Sequence, residues 1–558
     1  MTSPSAIPPA PQAHRHQGRL MVTCFLVGAL ILAVVARLYW LQVDRYEHYV
    51  AKAEEQQRRV VVLDAPRGTI YDAKGRQLAV SIETHSIAAY PPGIEDKDAV
   101  AADLAAALGI SEQRVRSRID TDRGFVWIER KVDPARAQAV REMKLPGIDL
   151  MPESKRYYPF GGLAAQVLGY VGIDNHGLAG LEYRFDSTVA HEQGRRTVML
   201  DGLNGRVLFP NLDQSEARPG DDLHLTLDAS LQYLAERELA KAVRSSGAKS
   251  GHVLMLDPHT GGVLAMASYP TFDPNRFGEA TAEQQRNRPV VDAYEPGSTF
   301  KMVTLAAALE AKAVDPLKVY FCGQGGIVLA GRRINDHKPF GDLTVRQILA
   351  KSSNVGAILL GQAAGIERFH STIRAFGFGE ATGIDLPGES AGQLRPLGSW
   401  SNLSPAYISF GQGVSITSLQ LTNAFAAIAN GGRLLEPYVV SSVGAAPGEK
   451  EPHRKVAGRP ISPSSVRHIR SILEAVVTEG TAKRAALPGY RVAGKTGTAQ
   501  KSIGGKGYAA NRYIASFVGF APVENPALAM AVMLDEPWPL YNGGQVAAPT
   551  VAAIAEPA

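Results

Sequence analysis

The chain has 558 residues, of which 45% are hydrophobic and 20% are charged, and its formal net charge is +5. This composition is that of a globular protein with room for more than one domain, and it excludes a largely disordered chain. Because the net charge is small for this length and Lys and Arg are spread along the chain, the sequence also argues against a nucleic-acid partner.

An uncharged apolar stretch near the N-terminus, Leu20–Ala36, is long enough to cross a membrane as a helix. Because apolar residues resume after Arg37, we place the transmembrane helix at 20–41. A cleavable signal peptide is the alternative, but its apolar core is shorter, and no A-x-A-like cleavage site follows here. The preceding tail, 1–19, which we expect to be disordered, contains Arg and His but no Asp or Glu. The positive-inside rule therefore predicts a cytoplasmic tail, with the bulk of the chain outside the inner membrane.

A first domain outside the membrane is predicted at 42–215, where short strands, turns and a few helices alternate. Glu47–Arg59 contains helix formers and is predicted to continue the membrane helix outward, whereas Val60–Leu63 predicts a strand. The polar, turn-rich segment Asn211–Asp222 is typical of a domain boundary.

Longer elements predict a second domain at 216–558. Its predicted elements are a strand at His224–Leu227, a helix at Ala229–Val243, a hairpin at His252–Ala267 that turns on Thr260–Gly262, and strands at Tyr490–Ala493, Ile514–Phe520 and Leu528–Leu534. Strands at both ends of a domain with helices between them favour an antiparallel sheet flanked by helices, an α/β sandwich.

The segment EPGSTFK, Glu295–Lys301, places a lysine at the start of an apolar helix. Residues three apart share one face of a helix, so Ser298 and Lys301 are predicted to point into the same space. A buried ammonium carries a desolvation cost, which a chemical role would explain. The same Ser-x-x-Lys pattern recurs at Ser246–Lys249, but there it follows a polar helix end and is interpreted as surface.

Two later segments supply further groups that acyl transfer needs. Ser352–Asn354 gives a Ser-x-Asn pattern after a predicted helix, and Lys495–Gly497 gives Lys-Thr-Gly after the predicted strand at Tyr490–Ala493. Together they offer a second hydroxyl, an amide, a second lysine and a glycine that permits close approach. In this order, Ser-x-x-Lys, Ser-x-Asn and Lys-Thr-Gly resemble the signature of penicillin-binding proteins and serine β-lactamases.

A nucleotide-binding loop is the rival interpretation of Lys495. Gly489–Thr496 matches G-x-x-x-x-G-K-T, and the later apolar run that ends at Asp535 resembles its companion strand. Such a loop needs an apolar strand before its first glycine and a helix directly after its lysine. Neither flank fits, so we prefer the acyl-transfer interpretation.

Metal and disulfide chemistry have little support in the sequence. The 13 His residues include no H-E-x-x-H motif and no Cys/His cluster at ligand spacing, so we expect neither a metal nor a cofactor. The only two cysteines are Cys24, inside the predicted span, and Cys322, which we expect to be a small buried apolar residue.

Motifs beyond the triple signature extend the resemblance to the class B penicillin-binding proteins over most of the chain. These segments are Arg67–Asp72, Arg156–Pro159, Gly177–Glu182, Arg286–Lys301, Ile334–Pro339, Lys351–Gly356, Ser409–Leu421 and Tyr541–Pro549. The resemblance implies a penicillin-binding transpeptidase domain on an elongated α+β pedestal, with one N-terminal transmembrane helix and no glycosyltransferase domain. It also implies that Arg67 and Glu182 brace the pedestal as an ion pair.

The resemblance further implies a peptidoglycan D,D-transpeptidase that cross-links stem peptides ending in D-Ala-D-Ala during septal wall synthesis and that β-lactams inhibit. A membrane-embedded glycosyltransferase and other division proteins are its implied partners. The resemblance implies that Ser298 is the nucleophile, that neutral Lys301 is its base and that Ser352 relays a proton. It implies that Asn354 holds Lys301 and the substrate amide. The implied binding site for the substrate carboxylate is Lys495 with Thr496, Gly497 and Thr498, and the implied oxyanion hole is formed by the backbone N–H groups of Ser298 and Thr498.

Several alternatives stay open at the level of sequence. If water replaced the acceptor amine, the same site would be that of a carboxypeptidase or a β-lactamase, although a membrane anchor and a pedestal favour a wall-building enzyme. Lateral-wall synthesis is an alternative to septal synthesis. A β-lactam sensor or divisome scaffold, acylated without turnover, is the non-enzymatic alternative.

Overall fold

A computed structural model describes residues 13–63, 65–190, 194–200, 207–215, 217–444, 455–502 and 507–558. The chain forms two compact units, which do not follow one another along the sequence. Residues 1–64 and 192–218 make the first unit, and residues 65–191 and 219–558 make the second.

The first unit contains the predicted membrane helix. A helix at Ala13–Tyr39 passes through a π-helical turn at Trp40–Asp44, and a second helix follows at Tyr46–Gln57. The large apolar side chains from Leu20 to Leu38 are exposed, as expected for a segment that contacts lipid. Gly18–Asp44 is long and apolar enough to cross a membrane, and it fits a single-pass anchor.

The same unit ends in a three-stranded antiparallel sheet. Its strands are Arg58–Leu63, Gly194–Leu200 and Val207–Ser215, with Gly194–Leu200 in the middle. The strand predicted at Val60–Leu63 is therefore confirmed, and the predicted helix before it ends two residues early, at Gln57. Part of the turn-rich segment predicted at Asn211–Asp222 is also strand, because the strand extends to Ser215 and residues 213–215 pair with the central strand.

In the second unit, a six-stranded sheet joins segments that lie far apart in sequence. Gln77–Ala89 is the long central strand of this sheet. Ile70–Tyr71 pairs with Leu223–Leu225 in parallel. The other strands are Val126–Val132, Ile148–Tyr157 and Val440–Val443. The neighbouring helices are Lys97–Leu108, Glu112–Ile119, Pro134–Met143, Ala165–Leu168, Gly180–Arg184 and Asp186–Val189. Residues on both sides of position 216 thus share one sheet.

A buried ion cluster holds this part of the unit together. Arg67 Nη2 lies 2.9 Å from Glu182 Oε2, and both side chains are fully buried. Arg156 Nε reaches the other oxygen of Glu182 at 2.6 Å, and Arg67 Nη1 lies 2.7 Å from Asp186. The expected ion pair between Arg67 and Glu182 is confirmed.

Replacing Glu182 with alanine is expected to destabilise the fold by about 3–5 kcal/mol, because two arginines would lose the carboxylate that compensates their burial. The exposed Glu279 provides the control, and Glu279→Ala should leave stability unchanged within error. Thermal unfolding of the detergent-solubilised chain measures both. Equal unfolding temperatures for the two variants would contradict a bracing role.

A five-stranded antiparallel sheet forms the centre of the larger part of this unit. We number its strands β1, Ser250–Leu256; β2, Val263–Tyr269; β3, Ala493–Ser502; β4, Tyr508–Ala521; and β5, Leu528–Asp535. Their order across the sheet is β2-β1-β5-β4-β3, so β3 is an edge strand. The predicted hairpin is confirmed as β1 and β2, and the predicted strands at 514–520 and 528–534 as parts of β4 and β5.

Helices surround this sheet as predicted. They are α1, Ala229–Ser246; α2, Lys301–Glu310; α3, Val345–Lys351; α4, Asn354–Ala364; α5, Ser418–Ala429; α6, Pro463–Thr478; and α7, Gly543–Ala555. Helix α2 is buried from Lys301 to Leu309, and α5 is buried along its whole length. The antiparallel sheet flanked by helices is thus confirmed.

Shorter elements complete the unit. The helices are Ala282–Gln285, Arg288–Val291, Ile366–Ala375 and Ser404–Ile408, and the strand pairs are Ala293–Tyr294 with Ile416–Thr417, Val319–Phe321 with Asp342–Thr344, Gly326–Leu329 with Arg332–Asn335, and Leu434–Leu435 with Val456–Gly458.

Two predicted strands differ from the structure. The strand predicted at His224–Leu227 lies at Leu223–Leu225. The strand predicted at Tyr490–Ala493 is wrong, because β3 begins only at Ala493 and contains the Lys-Thr-Gly motif. Pairing with the apolar strand β4 determines where β3 begins and ends, and this pairing overrides the weak strand preference of Gly and Lys.

Candidate active site

Ser298 lies in a single 3₁₀ turn that leads directly into α2. The turn spans Gly297–Phe300, and the backbone N–H of Lys301 donates to the carbonyl of Ser298. Gly297 has φ +57°, and its N–H donates to the carbonyl of Gly411 at 3.0 Å. This backbone arrangement leaves the Ser298 side chain half-buried, and within the described ranges its hydroxyl makes no hydrogen bond. The hydroxyl is therefore available to a substrate.

Lys301, one turn further, is completely buried. Its Nζ donates to the carbonyl oxygen of Ser352 at 2.6 Å and to Oδ1 of Asn354 at 2.8 Å. Burial, and secondly the charge of Lys495, hold the pKa of Lys301 well below its usual value. A neutral amine has two hydrogens and one lone pair, so with both hydrogens donated to these two acceptors the lone pair can accept a proton.

Ser352 lies between the two buried amines. Its Oγ is 3.3 Å from Nζ of Lys301 and 3.0 Å from Nζ of Lys495. The residue ends α3 in the left-handed region, with φ +59°, which is uncommon for a residue other than glycine and is typical of functional sites. The Ser352 hydroxyl thus connects the two lysines by hydrogen bonds.

Lys495 projects from the edge strand β3 and is also completely buried. Its other hydrogen-bond acceptor is the carbonyl oxygen of Thr496, at 3.0 Å. Burial lowers its pKa to about 7, so the amine is partly charged at neutral pH. Because the oxygens bound to the two amines are all uncharged, the pair can attract an anionic ligand.

Gly497 lets β3 approach the serine turn. A Cβ atom at this position would lie 2.4 Å from Oγ of Ser516 and 3.2 Å from the carbonyl oxygen of Pro296. The flanking hydroxyls differ in environment. Thr496 is buried and its Oγ1 lies 2.7 Å from that of Thr481, whereas Thr498 is half-buried and accepts from the N–H of Gly543 at 3.1 Å. The hydrogen of the Thr498 hydroxyl is therefore left for a ligand.

The structure thus connects four of the predicted residues, Lys301, Ser352, Asn354 and Lys495, directly by hydrogen bonds, and it places Ser298 in the 3₁₀ turn immediately before Lys301. Two contacts were not predicted. Asp336 binds the start of α4 through its carboxylate, and Thr481 binds Thr496. Asp336 lies within the family-like segment Ile334–Pro339, which was the available signal, whereas nothing in the sequence singles out Thr481.

The competing motifs do not form sites of their own. Lys495 lies within a strand rather than between a strand and a helix, so the nucleotide-binding interpretation lacks its required context. Asp535 is 2.8 Å from Nζ of Lys501 in an ion pair. At the second Ser-x-x-Lys match, Ser246 donates to the carbonyl of Ala242 at the end of α1, and Lys249 is exposed. Cys322 is buried, as expected.

A serine in the turn before a buried helix, next to the edge strand of an antiparallel sheet that carries a second buried lysine, is the arrangement of a serine acyltransferase. Comparison with known families agrees. Residues 251–556 match the penicillin binding protein transpeptidase domain, and residues 62–225 match the penicillin-binding protein dimerisation domain. The chain belongs to the penicillin-binding proteins of the peptidoglycan D,D-transpeptidase type.

Individual relatives resemble the chain over almost its whole length. Peptidoglycan D,D-transpeptidase FtsI of Escherichia coli K12 is 35% identical, with 95% of this chain and 90% of that protein covered. Stage V sporulation protein D of Bacillus subtilis is 35% identical, with coverages of 94% and 83%. Penicillin binding protein 3 of Mycobacterium tuberculosis, in its complex with aztreonam, has a TM-score of 0.70 and 32% identity, with coverages of 89% and 96%.

Proposed function

We propose that this transpeptidase forms an acyl-enzyme on Ser298 and cross-links peptidoglycan stem peptides during septal wall synthesis. The observation that carries the proposal is the buried amine of Lys301, held by Ser352 and Asn354 one turn after a Ser298 hydroxyl that makes no hydrogen bond to any residue the structure describes. The septal assignment is supported by the similarity to FtsI, and the predicted orientation puts the active site outside the inner membrane.

In the first half-reaction Oγ of Ser298 attacks the carbonyl carbon between the two terminal D-Ala residues. Lys301 takes the proton from the hydroxyl, and the developing oxyanion is stabilised by backbone N–H groups of Ser298 and Thr498. A proton then passes by way of Ser352 to the leaving nitrogen, the C–N bond breaks, and D-Ala departs. Ser352 suits this relay because its hydroxyl is within hydrogen-bond distance of both amines.

In the second half-reaction the ester carbon is attacked by the amine of a diamino acid on a neighbouring stem peptide. A new C–N bond forms, the C–O bond to Ser298 breaks, and the serine oxygen recovers a proton from Lys301, which takes one from the attacking amine. A carboxylate on the donor substrate is held by Lys495 together with the free hydrogen of Thr498. A β-lactam would follow the first half-reaction and stop at the acyl-enzyme.

The acylation rate is expected to have a bell-shaped dependence on pH. Lys301 must be neutral to act as a base, so the rate rises as pH increases through its lowered pKa. Lys495 must be charged to attract a carboxylate, so binding weakens as pH rises through its pKa of about 7. The second-order acylation rate constant, measured with labelled penicillin from acidic to alkaline pH, should therefore have two limbs, whose apparent pKa values belong to the coupled pair. A rate that keeps rising up to the usual pKa of a lysine would contradict the neutral base.

A synthetic donor and acceptor stem peptide test the function itself. Purified full-length protein in detergent should convert them to the cross-linked product with release of D-Ala, and β-lactam should abolish the conversion. Release of D-Ala without cross-linking would indicate a carboxypeptidase. Acylation by penicillin with no conversion of stem peptide would indicate a sensor or scaffold instead.

A further inference from the structure

We propose that Asp336 is a positioning residue for the reaction, because it holds the Ser352–Asn354 turn and, through that turn, the amine of Lys301. This inference rests on the proposed acyl-enzyme function. It assigns Asp336 no contact with substrate.

Asp336 follows the strand Arg332–Asn335 and meets the N-terminus of α4. Its Oδ2 accepts a hydrogen bond from Oγ of Ser353 at 2.7 Å, and its Oδ1 accepts from the backbone N–H groups of Asn354 and, at 3.3 Å, of Val355. The first N–H groups of a helix lack partners within the helix, and a carboxylate is favoured there. One side chain thus binds three consecutive residues of the turn.

The residue before Asp336 fixes the amide of Asn354. The carbonyl oxygen of Asn335 accepts from Nδ2 of Asn354 at 3.1 Å. Because Nδ2 is engaged there, Oδ1 of the same amide is the atom that faces Lys301, where it accepts a hydrogen at 2.8 Å. Asn335 and Asp336 together therefore determine which hydrogens of Lys301 are occupied and where its lone pair points.

The turn needs such support because Ser352 has a left-handed backbone conformation. A conformation of this kind persists only where its surroundings over-determine it. Ser353, which binds Asp336, also accepts from the N–H of Gly356 at 2.9 Å and so caps α4. The Ser352–Asn354 turn is therefore anchored by the carboxylate of Asp336 and by the Ser353 cap of α4.

The carboxylate also acts on Lys301 through its charge. The charged and titratable groups that influence Lys301 are Lys495 on β3, which lowers its pKa, and Asp336, which raises it against the dominant effect of burial. His337, next to Asp336, and Cys322, which contacts Ser353, are further titratable neighbours; burial and then Lys301 lower the pKa of His337, and burial raises the pKa of Cys322. Asp336 therefore influences both the position of the base and the pH at which it becomes neutral.

Two substitutions separate these effects in the full-length protein. Asp336→Asn keeps the shape and removes the charge, whereas Ser353→Ala removes one hydrogen bond and keeps the charge. Acylation by labelled penicillin is expected to slow by about tenfold or more in both, as for the loss of one hydrogen bond to a charged group. The acidic limb of the pH profile should move to lower pH in Asp336→Asn alone, because only there does Lys301 lose a neighbouring negative charge.

These experiments distinguish failure of the positioning role of Asp336 from failure of the proposed acyl-enzyme function. If the wild-type protein is not acylated on Ser298, the acyl-enzyme proposal fails first. If the wild-type protein is acylated, an Asp336→Asn variant with the wild-type rate, or with an unmoved acidic limb, overturns the positioning role. An equal shift of that limb in Ser353→Ala would also overturn it, because a purely structural disturbance would then account for both.

Discussion

Lys301→Met is expected to slow acylation of the protein by about 10²- to 10⁴-fold, the usual contribution of a general base. Methionine has a similar length and suits a buried site, so the fold should tolerate it. It cannot take a proton from Ser298, and it cannot donate to Ser352 or Asn354, which bind Nζ in the native protein. The measurement is the rate of labelling by penicillin at saturating and subsaturating concentrations.

A matched control for this variant exists within the same chain. Lys249 ends the second Ser-x-x-Lys segment and is exposed, so Lys249→Met should acylate at the wild-type rate. Thermal unfolding of both variants separates a loss of chemistry from a loss of fold. A Lys301→Met protein that is folded and acylates at normal speed would refute the assignment of Lys301 as the base.

Ser298→Ala should abolish acylation and cross-linking without lowering stability. The first effect follows because the nucleophile is gone, and the second because the Ser298 hydroxyl has no hydrogen bond to another residue that the structure describes. Ser246→Ala, at the other Ser-x-x-Lys match, serves as control. It loses a hydrogen bond to Ala242 and should keep full activity.

The two serine variants should therefore lose different properties, one its labelling by penicillin and the other at most some thermal stability. Labelling by penicillin should vanish only in Ser298→Ala, whereas any loss of thermal stability should occur only in Ser246→Ala. Residual labelling of Ser298→Ala at the wild-type stoichiometry would mean that another residue is the nucleophile.

Local sequence was sufficient for those elements whose signals are local. Helix α1 has an Asp228 N-cap, an apolar face and Gly247 in the left-handed region after its end; its predicted start at Ala229 is confirmed, whereas its predicted end at Val243 falls three residues before Ser246. The hairpin of β1 and β2 turns on Gly261, whose φ of +85° suits a glycine. Such signals act within a few residues and can be read directly from the chain.

The pairing of strands that lie far apart in the sequence could not be predicted. Leu223–Leu225 pairs in parallel with Ile70–Tyr71, more than 150 residues away, and no local pattern indicates it. Strand β3 contains Gly, Lys and Thr and reads as a loop until β4 is placed beside it. In both cases the partner strand, rather than propensity, determines the structure.

The same distinction between local and distant signals applies to the candidate active site. The prediction that Ser298 and Lys301 share one face rests on their spacing alone, whereas the contacts of Lys301 with Ser352 and Asn354 span about 50 residues and required the fold. The triple signature identified these residues through resemblance rather than through geometry. Asp336 was not identified as a site residue, because it lies 17 residues before Ser353 and no local pattern links it to the start of α4.

In the proposed reaction, a neutral buried amine activates one particular hydroxyl, that of Ser298. Mass spectrometry of the full-length protein after treatment with labelled penicillin tests it most directly, since peptide mapping identifies the modified residue. We expect a single adduct on Ser298, absent from Ser298→Ala and formed far more slowly in Lys301→Met. An adduct on any other serine, or equal labelling of the Lys301→Met protein, would contradict it.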